Sequence, residues 1–114
     1  MLVQKKTYKA ILKGLEHYRK QHEEDRKENP GLIPQGWGSS LRSMIATKCY
    51  ENHDKMSKEL PDLMLEYLVD KGFLIPYHGD YTFPGEKLPT KEELTRSRNF
   101  HEYFELVNKR RTNP

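Results

Sequence analysis

Apolar residues recur at helical spacing in three blocks of the chain and alternate at strand spacing in a fourth. The sharpest block is Leu60, Leu63, Met64, Tyr67 and Leu68, an i, i+3, i+4, i+7, i+8 series that places all five on one helical face. Gly72 follows where a helix takes a left-handed C-terminal residue, and Lys71 complements the dipole in the last turn. Phe73, Ile75 and Tyr77 then alternate, His78-Gly79-Asp80 supplies a turn, and Tyr81 and Phe83 alternate back, which predicts a tight hairpin. Nearer the start, Tyr8, Ile11, Leu12, Leu15 and Tyr18 predict a first helix with Thr7 as its cap. Gly14 inside it costs about 1 kcal/mol relative to Ala if the position is exposed. Residues 19–29 are almost wholly charged or polar, which predicts a solvated extension held by pairs of opposite charge and ended by Pro30.

Residues 31–38 read as a loop rich in glycine and proline. Ser39 or Ser40 is the expected cap of a second helix that carries Leu41, Met44 and Ile45 inward, with Cys49 on the same side and an end at 52–54. Ser57 is the expected cap of the third, with Pro61 in its first turn. Pro84, Gly85 and Pro89 make 84–89 a turn-rich connection. Thr90, with Glu93 in capping-box register, opens a last helix over 90–111 with an aromatic stripe of Phe100, Tyr103, Phe104 and Val107. The expectation is a single α+β domain over 1–114, mostly α, with a three-helix core, a hairpin and an added C-terminal helix. A helix that runs through Lys71-Gly72-Phe73-Leu74 into a short hairpin resembles the second half of a winged helix-turn-helix domain. The resemblance is at the level of the fold and covers residues 7–83. It implies contact with DNA and, because added helices around winged helices commonly build dimers, a homodimer through residues 90–111. The same stripe can instead pack on the first helix of its own chain.

At 114 residues the chain is long enough for one domain. Apolar content is 34% and charged content 32%, so a small core lies under a heavily charged surface; seven Tyr, four Phe and one Trp give that core its bulk. A net charge of +3 permits nucleic acid or an acidic protein as partner and demands neither. The single Cys49 excludes an internal disulfide and suits a reducing compartment. Without an apolar leader at Met1-Leu2-Val3-Gln4-Lys5-Lys6 or a run long enough to span a bilayer, the expected location is the cytoplasm.

Charge limits how a winged helix of this sequence could meet DNA. The polar positions of the third helix are Lys58, Glu59, Asp62, Glu66, Asp70 and Lys71, and four carboxylates against two lysines repel phosphates, which argues against major-groove docking of that helix. The cations lie elsewhere. Lys5, Lys9 and Lys13 make an i, i+4, i+8 ridge flanked by Lys6 and Lys20; Arg42 and Lys48 lie on the second helix; Lys109, Arg110 and Arg111 close the chain. Such a ridge either contacts a phosphate backbone without reading sequence or is a solvated face. His78, between Tyr77 and Tyr81, can enter a minor groove or stack on an unpaired base; alternatively the tyrosines pack across the strands. Trp37, between glycines, is either an exposed anchor for a partner or a plug for the core.

Catalytic and metal chemistry find little footing. Cys49 and His53 are one helical turn apart, but neither an orienting third residue nor an oxyanion loop accompanies them. His17 and His22 do not share a helical face, and paired zinc ligands are lacking. Residues 31–38 hold neither a phosphate-cradling Gly-Lys-Ser/Thr nor a dinucleotide fingerprint. The sequence therefore predicts a non-enzymatic regulatory or accessory protein, without cofactor, that binds nucleic acid (DNA before RNA) through Lys5, Lys9, Lys13, Arg42, Lys48 and His78. The alternative is a protein-binding adaptor or inhibitor that uses the acidic Glu59, Asp62 and Glu66 with Trp37, Phe100 and Phe104.

Overall fold

The computed structural model describes residues 2–29, 34–85 and 90. Within them the order is α1 (Lys5–Glu28), α2 (Gly38–Glu51), α3 (Leu60–Asp70), β1 (Ile75–Tyr77) and β2 (Asp80–Thr82). The expected C-terminal helix over 90–111, with Phe100, Tyr103, Phe104 and Val107, lies outside the described residues apart from Thr90.

The three helices pack around Ile11 and Leu15 of α1, Leu41, Ile45 and Cys49 of α2, and Leu60, Met64, Leu65 and Leu68 of α3. The face of α3 is rotated from the one expected. Leu65 is fully buried while Leu63 is 42% exposed and Tyr67 only partly covered, so the covered face centres on the Leu60–Met64–Leu68 line and extends toward Leu65. Gly14 is not a passive cost either. A Cβ there would press on the Met44 side chain, so the glycine lets α1 and α2 approach closely.

Helix ends explain how the pieces are oriented. Gly72 (φ 84°) ends α3 with the amide of Phe73 donating to the Leu68 carbonyl and that of Gly72 to Val69, a Schellman closure. His53 (φ 58°) ends α2 in the same way, the amide of Asp54 donating to Cys49 and that of His53 to Tyr50. The expected caps are replaced. Thr7, Ser39 and Ser40 lie inside their helices, Ser57 lies two residues before Glu59, and the N-cap residues are Gln4, Trp37 and Glu59, none with a side-chain cap. Two helices are instead capped from afar. At α1, Asp54 accepts from the Gln4 amide at 2.8 Å and from the Thr7 hydroxyl. At α2, Asp80 accepts from the Gly38 amide at 2.7 Å.

Partial burial pushes the Asp54 carboxyl up, but the Thr7 and Gln4 hydrogen bonds, with Lys6 nearby, outweigh it and hold the group below the usual carboxylate range. A carboxyl depressed by folding stabilises fully above its unfolded value, near ~3.9, and that stabilisation is lost as pH falls through the folded value. Asp54→Asn is therefore expected to cost about 1 kcal/mol at neutral pH and to close most of its gap to the wild type in strong acid. Urea midpoints near neutrality and near pH 2 check this; a gap of constant size would count against the remote cap.

The hairpin turns on His78 (φ 45°) and Gly79 (φ 80°), the two left-handed residues of a type I′ turn, with Tyr77 opposite Asp80. Its buried positions are shifted by one from the expected alternation at the entry: Leu74 is buried and Phe73 is 41% exposed. Tyr77, Thr82 and Phe83 face inward. Residues 35–37 run beside β2, the Trp37 amide donating to the Tyr81 carbonyl at 2.8 Å and the Thr82 hydroxyl to the Gln35 carbonyl at 3.1 Å.

Candidate nucleic-acid interface

The buried face of α1 is Thr7, Ile11, Leu15, His22 and Asp25. At about 100° per residue, Lys5, Lys9 and Lys13 fall within an arc of roughly 80° on the opposite side, and all three are exposed. No carboxylate occurs on α1 before Glu16, so over residues 5–15 the helix carries cationic charge alone. Successive ridge lysines are about 6 Å apart along the axis, close to two phosphate steps of about 3.4 Å on one strand. Beside the ridge, Tyr8 meets Tyr67 edge to face at 5.8 Å, and the Lys71 ammonium lies 5.4 Å from the Tyr67 ring centre. The turn after α3 thus brings a further cation beside Tyr67 and Tyr8, which its place in a helix terminus had not suggested. Burial, then Tyr67, pushes the Tyr8 hydroxyl up, so it stays a neutral donor beside these cations.

The other candidate contacts are dispersed. Arg42 donates to Asp62 at 2.6 Å and lies 6.0 Å from the Tyr81 ring centre, tying α2 to α3 and the hairpin. Lys48 pairs with Glu51 at 3.8 Å. Six residues separate Arg42 from Lys48, placing them about 120° apart around α2. His78 is exposed at the hairpin tip, its ring 5.4 Å from Tyr77. Only Lys5, Lys9 and Lys13 form one continuous surface.

On α3, Glu59, Asp62, Glu66 and Asp70 share the solvent side with Leu63. That arrangement matches the expected acidic face. Trp37 is different: at 3% exposure it is the plug for the core, the second of its two expected readings, so it drops out of the partner-binding set. Its indole N–H donates to His22 Nδ1 at 3.0 Å, and its ring lies 5.5 Å from Tyr18 and 6.1 Å from Phe83. The expected solvated extension of α1 therefore has a buried side. A signal for it exists in the sequence, since His22 and Asp25 continue the spacing of Ile11, Leu15 and Tyr18, but in polar residues.

The glycines around Trp37 also have a use. A Cβ on Gly36 or Gly38 would collide with the Asp80 carboxylate, which also accepts from the Tyr81 amide at 2.8 Å. Gly36-Trp37-Gly38 is a cradle for that side chain. Cys49 is fully buried, and burial, then Asp54, pushes its thiol up, the reverse of what a nucleophile needs. Among the described residues no three His, Cys, Asp or Glu side chains converge as a metal site, and no helix is long and apolar enough to cross a membrane. Comparison with family models, known proteins and solved structures gives no match.

Proposed function

We propose that this is a non-enzymatic, winged-helix-like accessory protein that binds nucleic acid, double-stranded DNA before RNA, along the phosphate backbone. The observation that carries the reading is the Lys5–Lys9–Lys13 ridge, exposed opposite the core with no carboxylate on α1 before Glu16. The winged-helix likeness is supported by the order of three helices and a hairpin, with residues 35–37 tethered beside β2 by one backbone and one side-chain hydrogen bond. The acidic outer side of α3 favours docking through α1 over the usual recognition-helix geometry. Contacts of this kind position a protein without specifying sequence.

For about three neutralised phosphates, affinity for a mixed-sequence duplex is expected to fall roughly 40-fold between 50 and 200 mM salt. Lys9→Glu with Lys13→Glu, on an exposed face that leaves the fold intact, is expected to abolish binding. Fluorescence anisotropy with a labelled duplex measures both effects, and full affinity in the double variant would overturn the proposal.

A second reading rests on the α3 surface. Glu59, Asp62 and Glu66 around the half-exposed Leu63 suit a basic groove on a protein partner, as an adaptor or inhibitor would require.

A further inference from the structure

We propose that the buried pair of His22 and Trp37 is an acid-sensitive latch between α1 and the hairpin. The indole N–H of Trp37 donates to His22 Nδ1 at 3.0 Å, and both residues are only 3% exposed. An indole can only donate, so Nδ1 keeps its lone pair and the ring is neutral, with its proton on Nε2. A proton taken from solvent at Nδ1 turns the acceptor into a second donor, and no orientation of an imidazolium offers Trp37 an acceptor. The bond is therefore present at high pH and lost as pH falls through the titration of His22, a side chain that ordinarily titrates near ~6.5.

What the bond joins gives its loss a consequence. Residues 35–37 are tied to β2 by the Trp37 amide and the Thr82 hydroxyl, while the Trp37 side chain reaches α1 at Tyr18 and His22. Phe83, just past β2, meets the same His22 ring at 5.4 Å. Charging that ring acts on the contact of α1 with the 35–37 segment and the hairpin together, and leaves the bonds within that unit in place. His22 also lines the groove between α1 and the ends of the hairpin, so a proton has a short path from solvent. Among the described residues, the titratable and charged groups around it come from α1. Arg19, held by Glu16 and Glu23, shares the groove with Lys27 and with Arg26, which is itself engaged. Asp25 lies one turn on, on the same buried face and 2% exposed, and Tyr18 one turn before. The 35–37 segment, Gly72, Phe73 and Phe83 bring no charge. Buried, Asp25 is the least screened of these charges, and its carboxylate favours the imidazolium against the cost of burial. The latch is separate from the lysine ridge and does not depend on nucleic-acid binding.

The test follows the full chain from pH 8 to pH 5 by fluorescence of Trp37, its sole tryptophan, and by the NMR signals of the indole N–H and the His22 ring. The expected result is one transition with a common midpoint for all three signals, emission shifted to the red below it, and unchanged circular dichroism. The comparison of midpoints needs no variant. His22→Gln, which keeps an acceptor that does not titrate, should abolish the transition. Asp25→Asn should move the midpoint down by about one pH unit, a tenfold loss of proton affinity. Trp37 signals that stay constant, that move apart from the His22 ring, or that follow a loss of circular dichroism would overturn the latch. So would a transition that persists in His22→Gln, or an Asp25→Asn midpoint that is unchanged or higher.

Discussion

Trp37→Ala is expected to remove about 3–5 kcal/mol of stability, the range for truncating a buried Trp or Phe. For a domain of this size that is a large share of a total of ~5–15 kcal/mol. Three losses combine. The indole fills the space among Tyr18, His22 and Phe83, and its removal leaves a cavity at the join of α1, the 34–37 segment and the hairpin. His22 Nδ1 loses its donor at 3% exposure, a penalty beyond the packing term. The 34–37 segment then keeps only backbone and Thr82 contacts to hold it on β2. Trp37→Phe restores most of the volume but not the N–H, and should recover more than half of the loss. Urea unfolding followed by circular dichroism gives both values; a loss below about 1 kcal/mol for Trp37→Ala would mean that the indole is not a structural centre.

Asp80→Ala is expected to cost about 2–3 kcal/mol, more than a surface aspartate ordinarily would. One carboxylate oxygen accepts from both the Gly38 and Tyr81 amides. Helix α2 has neither a capping side chain at Trp37 nor an acidic residue in its first turn, and among the described residues Asp80 supplies cap and countercharge to its N-terminus. The thermal midpoint should fall by roughly 8–24 °C, at about 4–8 °C per kcal/mol for small domains. Asp80→Asn, which keeps an acceptor and loses the charge, should show about half that fall. Gly38→Ala pushes against the same carboxylate and should approach the effect of Asp80→Ala. An unchanged midpoint for all three would remove the cradle as a stabilising element.

The large features of the fold were legible because they are local. The Leu60–Leu68 periodicity, Gly72 as a left-handed terminator and His78-Gly79 as a turn each depend on residues within one or two turns of one another, and the structure holds all three. What the sequence concealed is non-local. Asp54 and Asp80 cap helices that begin 50 and 42 residues before them, measured from Gln4 and Gly38, so a search for caps beside each helix start finds Thr7 and Ser39 instead. Leu65 and Leu63 are both apolar, so composition alone does not say which of them is covered. The burial of His22 does not show in the charged and polar composition of residues 19–29, which predicts a solvated segment, whereas Trp37 folds onto one side of it. In the candidate site, the helical spacing of Lys5, Lys9 and Lys13 was sufficient to place them together. Arg42 and Lys48 already fall about 120° apart by their spacing on α2, whereas the place of His78 depends on where the hairpin packs. Lys71 comes beside Tyr67 through the turn that ends α3.

The central claim is that the N-terminal half of α1 is the nucleic-acid surface. Amide shift mapping of the labelled protein during titration with a short mixed-sequence duplex at low salt tests it most directly. The account predicts perturbations concentrated on residues 5–13 and around Lys71, fading as salt is raised, with the outer side of α3 unaffected. Perturbations centred on Glu59, Asp62 and Glu66, or on the His78 tip alone, would contradict it.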